Sequence, residues 1–409
     1  MANASPTPRI ALDTAGPDPS AWQPVVVAGV LVVSAVFAGL IGLEAGGNQV
    51  LLLAIGGLLG LSLYHAAFGF TAAYRRFFLT RRSAGLRAQI VMLALASLGF
   101  APLLAFDGSL SGAVAPVGVS LVVGAFMFGI GMQLAGGCAS GTLYTVGGGS
   151  TRMVIVLIAF IASSYVGTWH APWWQALPSA PAVSAYESLG WIGGLTTQGV
   201  WLALLYVGCR WFEQRQHLRL EPLLEAGSTN ASGLRVRLLR GPWPFLWGAV
   251  ALALLNVATL IAAGRPWGIT GAFALWGAKV AQALGFDPTA HAYWQRPGPR
   301  AALDQGLAHD VTSVMDLGLV LGACLAAGLA GKFRPTAAIG FRPALAALIG
   351  GLLLGYGARL SYGCNIGAFF SGVASGSPHG WVWIAAALAG TAIAIPLRPL
   401  FGLKNEARS

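Results

Sequence analysis

Charge is what this sequence lacks most. Asp, Glu, Lys and Arg make up only 9% of its 409 residues, while 56% are hydrophobic and the mean hydropathy is +0.70. A soluble globular chain carries about a quarter charged residues, so neither a soluble globular enzyme nor a disordered protein is compatible with this composition. Cysteine is also sparse. Cys138, Cys209, Cys324 and Cys364 form no CxxC pair and no extramembrane pairing pattern, which excludes a disulfide framework and a cysteine metal site. His65, His170 and His379 show no metal-ligand spacing either, so neither metal nor cofactor is expected. Acids are scarcer than bases, 13 against 24, for a net charge of +11. In a membrane chain that excess reports orientation rather than a nucleic-acid partner. Residues 1–22 hold one Arg, two Asp and four Pro, without the basic start and apolar run of a cleaved signal, so the first span is expected to be retained.

Long apolar runs are plentiful, and so is glycine, with 57 residues. Runs close to the roughly 20 residues that cross a hydrocarbon core occupy 23–43, 49–63, 88–106, 114–133, 152–168, 190–211, 243–263, 313–331, 342–358 and 380–398. Four Gly-rich pieces too short to cross remain, at 64–79, 137–150, 265–284 and 361–377. The fold expected is an all-α polytopic membrane protein with about ten transmembrane helices and four re-entrant half-helices in the surrounding lipid bilayer.

Parity of the positive charges tests this layout independently. With the N-terminus inside, all but five of the 24 Lys and Arg fall on the cytoplasmic side. The five are Arg265, Lys279, Arg296, Arg300 and Arg359. The expected organisation is a cytoplasmic tail (1–22), an extra peripheral span (23–43), a first repeat (49–168), a connecting span (190–211), a cytoplasmic loop (212–242), a second repeat (243–398) and a cytoplasmic tail (399–409). Both repeats run span, short piece, span, span, short piece, span. The single connecting span inverts the second relative to the first, a pattern of secondary transporters whose sites form where broken helices meet. The loops at 169–189, with Trp169, Trp173 and Trp174, and at 285–312 fall outside.

The sharpest internal match is Gly137-Cys138-Ala139-Ser140-Gly141-Thr142 against Gly363-Cys364-Asn365-Ile366-Gly367-Ala368, one copy per repeat, each following a span and opening a short piece. Glycine lets backbone amides approach an anion, and a thiol at a helix start sits where the dipole favours negative charge. Close helix packing explains such glycines but not paired thiols. The third short piece reads Gly264-Arg265-Pro266-Trp267-Gly268-Ile269-Thr270-Gly271, followed by Lys279. An intramembrane cation is costly unless functional, so Arg265, Lys279 and Arg359 either draw an anion inward or snorkel to the headgroups, with Asp316 available as a partner for one of them. Cys209 and Cys324 have ordinary helical surroundings and read as small buried hydrophobes.

At these residues the chain resembles the YeeE/YedE family of sulfur-transport membrane proteins. The likeness lies in GGCASGTLYTVGGGSTR (136–152), GRPWGITGAFALWGAKV (264–280) and GCNIGAFFSGVASGSPHGWVW (363–383), and it covers roughly 49–398. It implies a prokaryotic inner-membrane importer of a sulfur oxyanion, thiosulfate above all, handed between thiols at a narrow waist. Cys138 and Cys364 fall on the family's two central cysteines. The substrate-binding set expected is Gly137, Cys138, Gly141, Thr142, Gly363, Cys364, Asn365, Gly367, Trp267, Gly268, Thr270, Arg265 and Lys279. Similar proteins often carry a further cysteine in the first short piece, where this chain has Gly69 in Ala67-Phe68-Gly69-Phe70-Thr71. Either two thiols suffice, or Cys324 or a hydroxyl such as Thr71 substitutes, or the substrate differs. The resemblance also brings a selenium-related substrate and a TusA-like cytoplasmic sulfur carrier into view. A membrane-embedded sulfurtransferase forming a Cys138 persulfide is the alternative from another class.

Overall fold

A computed structural model describes residues 22–217, 219–224, 233–335 and 339–405. The tail at 1–21, including Arg9, and parts of the 212–242 and 399–409 segments, including Arg408, lie outside the described residues. Hydrocarbon offers the backbone no hydrogen-bond partner, so an apolar chain must satisfy its amides within helices. The long helices are α1 (Pro24–Ala45), α2 (Gly47–His65), α4 (Ala84–Phe106), α5 (Val119–Ala135), α7 (Thr151–Gln175), α8 (Gly190–Gln216), α9 (Phe245–Ala263), α11 (Val311–Leu329), α12 (Phe341–Leu360) and α13 (Pro378–Ala394). Between them lie α3 (Phe70–Thr80), α6 (Ala139–Gly147), α10 (Thr270–Ala283) and a π-helical turn, Asn365–Phe370, that runs into one α turn, Ser371–Ala374. Ten segments among the described residues are long and apolar enough to span, one for each run expected. The only strands among them are two residues each, Val117–Gly118 paired with Ser179–Ala180. This is an all-α, multi-pass membrane protein.

Helix α2 packs on α11, α4 on α9, α5 on α12 and α13, and α7 on α12. Glycine makes these crossings close. A Cβ added at Gly56 or Gly60 would strike the Met315 or Leu319 carbonyl, and one at Gly318 or Gly322 the Leu53 or Gly57 carbonyl. The α5–α13 crossing repeats this, Gly129 against the Ala387 carbonyl and Gly390 against the Phe126 carbonyl. Such backbone-to-backbone seams are how helices associate when lipid is as apolar as their side chains. Helix α1 buries only Val27, Val30 and Ile41. It is tied on by Gln23, whose side chain exchanges bonds of 3.0 and 3.1 Å with the Phe333 backbone.

A buried polar node fastens the end of α8. Glu213, fully buried, faces Arg87 at 3.2 Å and Arg82 at 3.6 Å, and accepts bonds from the Ser83 amide at 3.0 Å and the Glu221 amide at 2.8 Å. The 285–312 loop packs on α7 and α10. Trp294 is buried there and donates to Thr168 Oγ1 at 3.0 Å.

Candidate functional site

Each short piece is entered and left through left-handed backbone. The entries are Ala67 (φ 46°), Gly136 (85°), Gly264 (70°) and Tyr362 (61°); the exits are Arg81 (59°), Gly149 (94°), Gly285 (86°) and Gly376 (69°). Three are non-glycine residues, and left-handed alanine and tyrosine are strained positions that the surrounding packing must enforce. The chain is therefore turned sharply at both ends of all four pieces.

The two GCxxG copies deliver their thiols from such turns. Cys138 caps the N-terminus of α6 and Cys364 that of the π turn; both are buried. Cys138 Sγ lies 3.3 Å from Ser140 Oγ, and Cys364 Sγ accepts from the Ile366 amide at 3.4 Å. Thr142 closes the first turn of α6, its hydroxyl donating to the Cys138 carbonyl at 2.9 Å. Gly141 leaves the Cys138 sulfur uncovered, since a Cβ there would touch it at 3.6 Å. Gly137 lies beside Gly141, and a Cβ at Gly363 would press on the Ala368 amide at 2.9 Å. The two pieces touch. The Cys138 thiol lies within electrostatic range of Cys364 and of the Tyr74 and Tyr144 hydroxyls. Tyr144 is in range of Tyr64 in turn, and Tyr64 of Cys324. Pairwise electrostatic reach thus links Cys364, Cys138, Tyr144, Tyr64 and Cys324.

The third piece closes on this cluster. Asn256, buried in α9, accepts from the Trp267 amide at 2.9 Å and donates to Ser371 Oγ at 3.2 Å; Ser371 Oγ donates to the Trp267 carbonyl at 2.8 Å. This clamp holds Trp267 and Gly268 against the π turn, where a Cβ on Gly367 would come within 3.8 Å of Gly268 Cα. Gly268 itself faces open space, with no atom within 4 Å of the Cβ it lacks. Thr270, buried, opens α10. Tyr74 Oη, on the first piece, accepts from Asn365 Nδ2 of the fourth at 3.2 Å. Three polar atoms of this region are buried without a hydrogen-bond partner: Trp267 Nε1, Asn365 Oδ1 and Thr71 Oγ1. Buried polar groups are normally paired, so these three atoms are free to bond a polar ligand.

The model of the sulphur-transport family matches residues 65–393. The chain belongs to that family. It is 28% identical over 348 residues to the thiosulfate transporter TsuA of Spirochaeta thermophila, covering 81% of this chain and 93% of that one. Over 339 residues it is 26% identical to the thiosulfate transporter TsuA of Escherichia coli, 80% and 88% of the two chains. The probable transporter YedE of E. coli is 31% identical over 157 residues, 36% of each.

Not every residue expected at the site of this family member is brought there. Arg265 is exposed and donates to Thr312 Oγ1 at 3.0 Å. Lys279 reaches out to the Leu303 carbonyl at 2.6 Å, and Arg359 to Tyr293 Oη at 3.0 Å. Lys279 and Arg359 thereby fasten the 285–312 loop. Asp316 pairs with none of these cations. The fourth short piece is π-helical where an α half-helix was expected. At the family's third cysteine position, Gly69, a Cβ would sit 3.4 Å from Tyr144 Oη, so a side chain at 69 would meet the same phenol that Cys138 reaches. Beside Gly69 lies a cavity of about 160 Å³ lined by Arg76, Arg82, Gln89 and Phe245.

Sequence reading missed Asn256, Tyr74 and Tyr144. Asn256 was detectable as the lone amide in the apolar run Phe245–Ala263, because an intramembrane polar residue signals function by default. Tyr144 stands inside the quoted GGCASGTLYTVGGGSTR segment, yet aromatic residues in helices are too common to single out.

Proposed function

We propose that this protein imports thiosulfate across the prokaryotic inner membrane, with both termini cytoplasmic, through a narrow passage at Cys138 and Cys364. The carrying observation is the pair of matched thiols, each capping a short piece and within interaction range of the other. Moving a bare dianion into low dielectric would cost on the order of tens of kcal/mol, so amides and S–H and O–H donors must replace its water. Weak S–H donors suit the soft terminal sulfur of thiosulfate and serve the hard oxygens of sulfate poorly. The relatives named as thiosulfate transporters support the substrate, and selenium-containing oxyanions are its nearest competitors.

We also read residues 49–168 and 243–398 as an inverted repeat whose short pieces are re-entrant. The packing pattern supports this: exchanging the two segments turns the α2–α11 contact into α9–α4 and α7–α12 into α13–α5, and it leaves α5–α12 and α2–α9 unchanged. The cavity beside Gly69, with Arg76 and Arg82, lies at the cytoplasmic exit in this reading, where a TusA-like carrier would collect the sulfur.

Uptake of labelled thiosulfate into proteoliposomes, with sulfate and selenite as competitors, tests the proposal. Saturable uptake that thiosulfate competes and sulfate does not is expected. No uptake, or equal competition by sulfate, refutes it. An intact mass unchanged after thiosulfate treatment is expected of a transporter that forms no persulfide.

A further inference from the structure

The spans hold three acids among the described residues. Glu44 sits at the exposed end of α1 and faces His309 at 3.7 Å; Glu213 is paired with Arg87. Asp316 differs from both. It lies in the second turn of α11, is fully buried, and neither carboxyl oxygen has a hydrogen-bond partner.

Its helix face explains where it points. Thr312, Asp316, Val320 and Ala323 recur at helical spacing on one side of α11. Thr312 Oγ1 takes the bond from Arg265 and lies 3.8 Å from the Cβ position of Gly271, at the start of α10. Val320 and Ala323 abut Gly147 at the end of α6. Asp316 is therefore flanked by two of the short pieces, and it is in electrostatic range of Cys364 and of Asp310. The packed elements present few other groups. Helix α2 has Tyr64 and His65 at its far end, and α6 has Tyr144 with Cys138 at its cap. The α10 segment brings Lys279, bonded to the Leu303 carbonyl, and Arg265, bonded to Thr312 one turn before Asp316. Glu44 of α1, His309, Cys324 and the Arg235–Arg240 helix lie toward the helix ends. No cation is salt-bridged to Asp316 among the described residues.

We propose that Asp316 is the proton site that couples uptake, one proton on its carboxyl group accompanying each anion past Cys364. An ionised carboxylate here would be desolvated without compensation and would repel a dianion at the thiols. The neutral acid does neither, so anion entry and proton occupancy reinforce one another, and by linkage the effect is reciprocal. The step is a transfer of one proton to and from a carboxylate oxygen, with no covalent bond to the substrate.

The inference rests on the transport reading, and one experiment separates the two. Proteoliposomes loaded with a pH-sensitive dye, voltage-clamped with valinomycin and potassium, receive labelled thiosulfate. The wild type is expected to acidify its lumen as label enters, and to take up label several-fold faster when the outside is one pH unit more acidic. Asp316→Asn is expected to keep thiosulfate exchange within about twofold while losing both acidification and stimulation. Wild-type uptake without acidification, or acidification by Asp316→Asn equal to wild type, overturns the coupling and leaves transport standing. Absence of wild-type uptake overturns the transport reading itself. Should Asp316→Asn fail to reconstitute, Asp316→Glu decides: a shifted pH midpoint of uptake supports the site, and an unshifted one refutes it.

Discussion

Replacing Asn256 by leucine isolates the role of the clamp that seats Trp267. The substitution keeps the side-chain volume close and makes a span residue more apolar, so insertion is not impaired. It removes the acceptor of the Trp267 amide and the donor to Ser371. A buried donor left unpaired costs about 1–3 kcal/mol and a lost neutral hydrogen bond about 1 kcal/mol, giving a destabilisation of about 2–4 kcal/mol. If about 1.4 kcal/mol of that is felt where the substrate passes Gly268, uptake falls about tenfold. Ser371→Ala removes the Asn256 bond and the 2.8 Å bond to the Trp267 carbonyl. The two changes share one bond, so the double variant is expected to fall short of additivity by about 1 kcal/mol. Initial uptake rates and thermal inactivation of the purified protein give both quantities. Asn48→Leu is the control, since exposed Asn48 donates only to the Ala262 carbonyl, at 3.0 Å. Wild-type uptake and stability in Asn256→Leu, or strict additivity with Ser371→Ala, would refute the reasoning.

Cys138→Ala and Cys364→Ala are each expected to abolish thiosulfate-dependent growth while the protein still reaches the membrane at wild-type level; unaffected growth in either removes the thiol passage. Tyr144→Phe deletes the hydroxyl in range of Cys138 and is expected to slow uptake several-fold without altering the melting profile. Gly322→Leu drives a side chain into the Gly57 carbonyl and is expected to prevent accumulation of folded protein, read by size-exclusion chromatography of a fluorescent fusion. Glu213→Ala leaves Arg87 buried without its partner, a loss of about 3–5 kcal/mol for a broken buried pair. Thermal stability should fall while the substrate competition pattern of the surviving protein stays unchanged.

The spans were legible because hydrocarbon imposes one rule on every residue: ten apolar runs became ten long helices, with ends shifted by at most five residues except at the end of α7, which runs seven residues further. Cys138 and Cys364 were legible because duplication makes a motif visible against itself. The sites of Arg265, Lys279 and Arg359 were not, since a long cationic side chain can point inward or out to a loop from the same helix position, and the decision lies in partners such as Leu303 and Tyr293 far along the chain. The clamp of Asn256 and Ser371 joins residues separated by 115 positions. Glu213 likewise meets Arg87 across 126. No local pattern announces contacts at that range. The π turn after Cys364 comes just after two positive-φ residues, Tyr362 and Gly363, a backbone that propensity does not foresee.

The glycine seams restrict how this protein can move. Helix α2 is locked to α11, and α7 to α12, through direct main-chain apposition, so the two segments of the chain are laced through each other rather than merely leaning together. Swinging one against the other, as in a rocking carrier, would drag carbonyls across interlocked grooves at every crossing. Under the proposed function, opening to either side would fall to small parts such as the Trp267 loop, the π turn and the tyrosine rings, within a still frame.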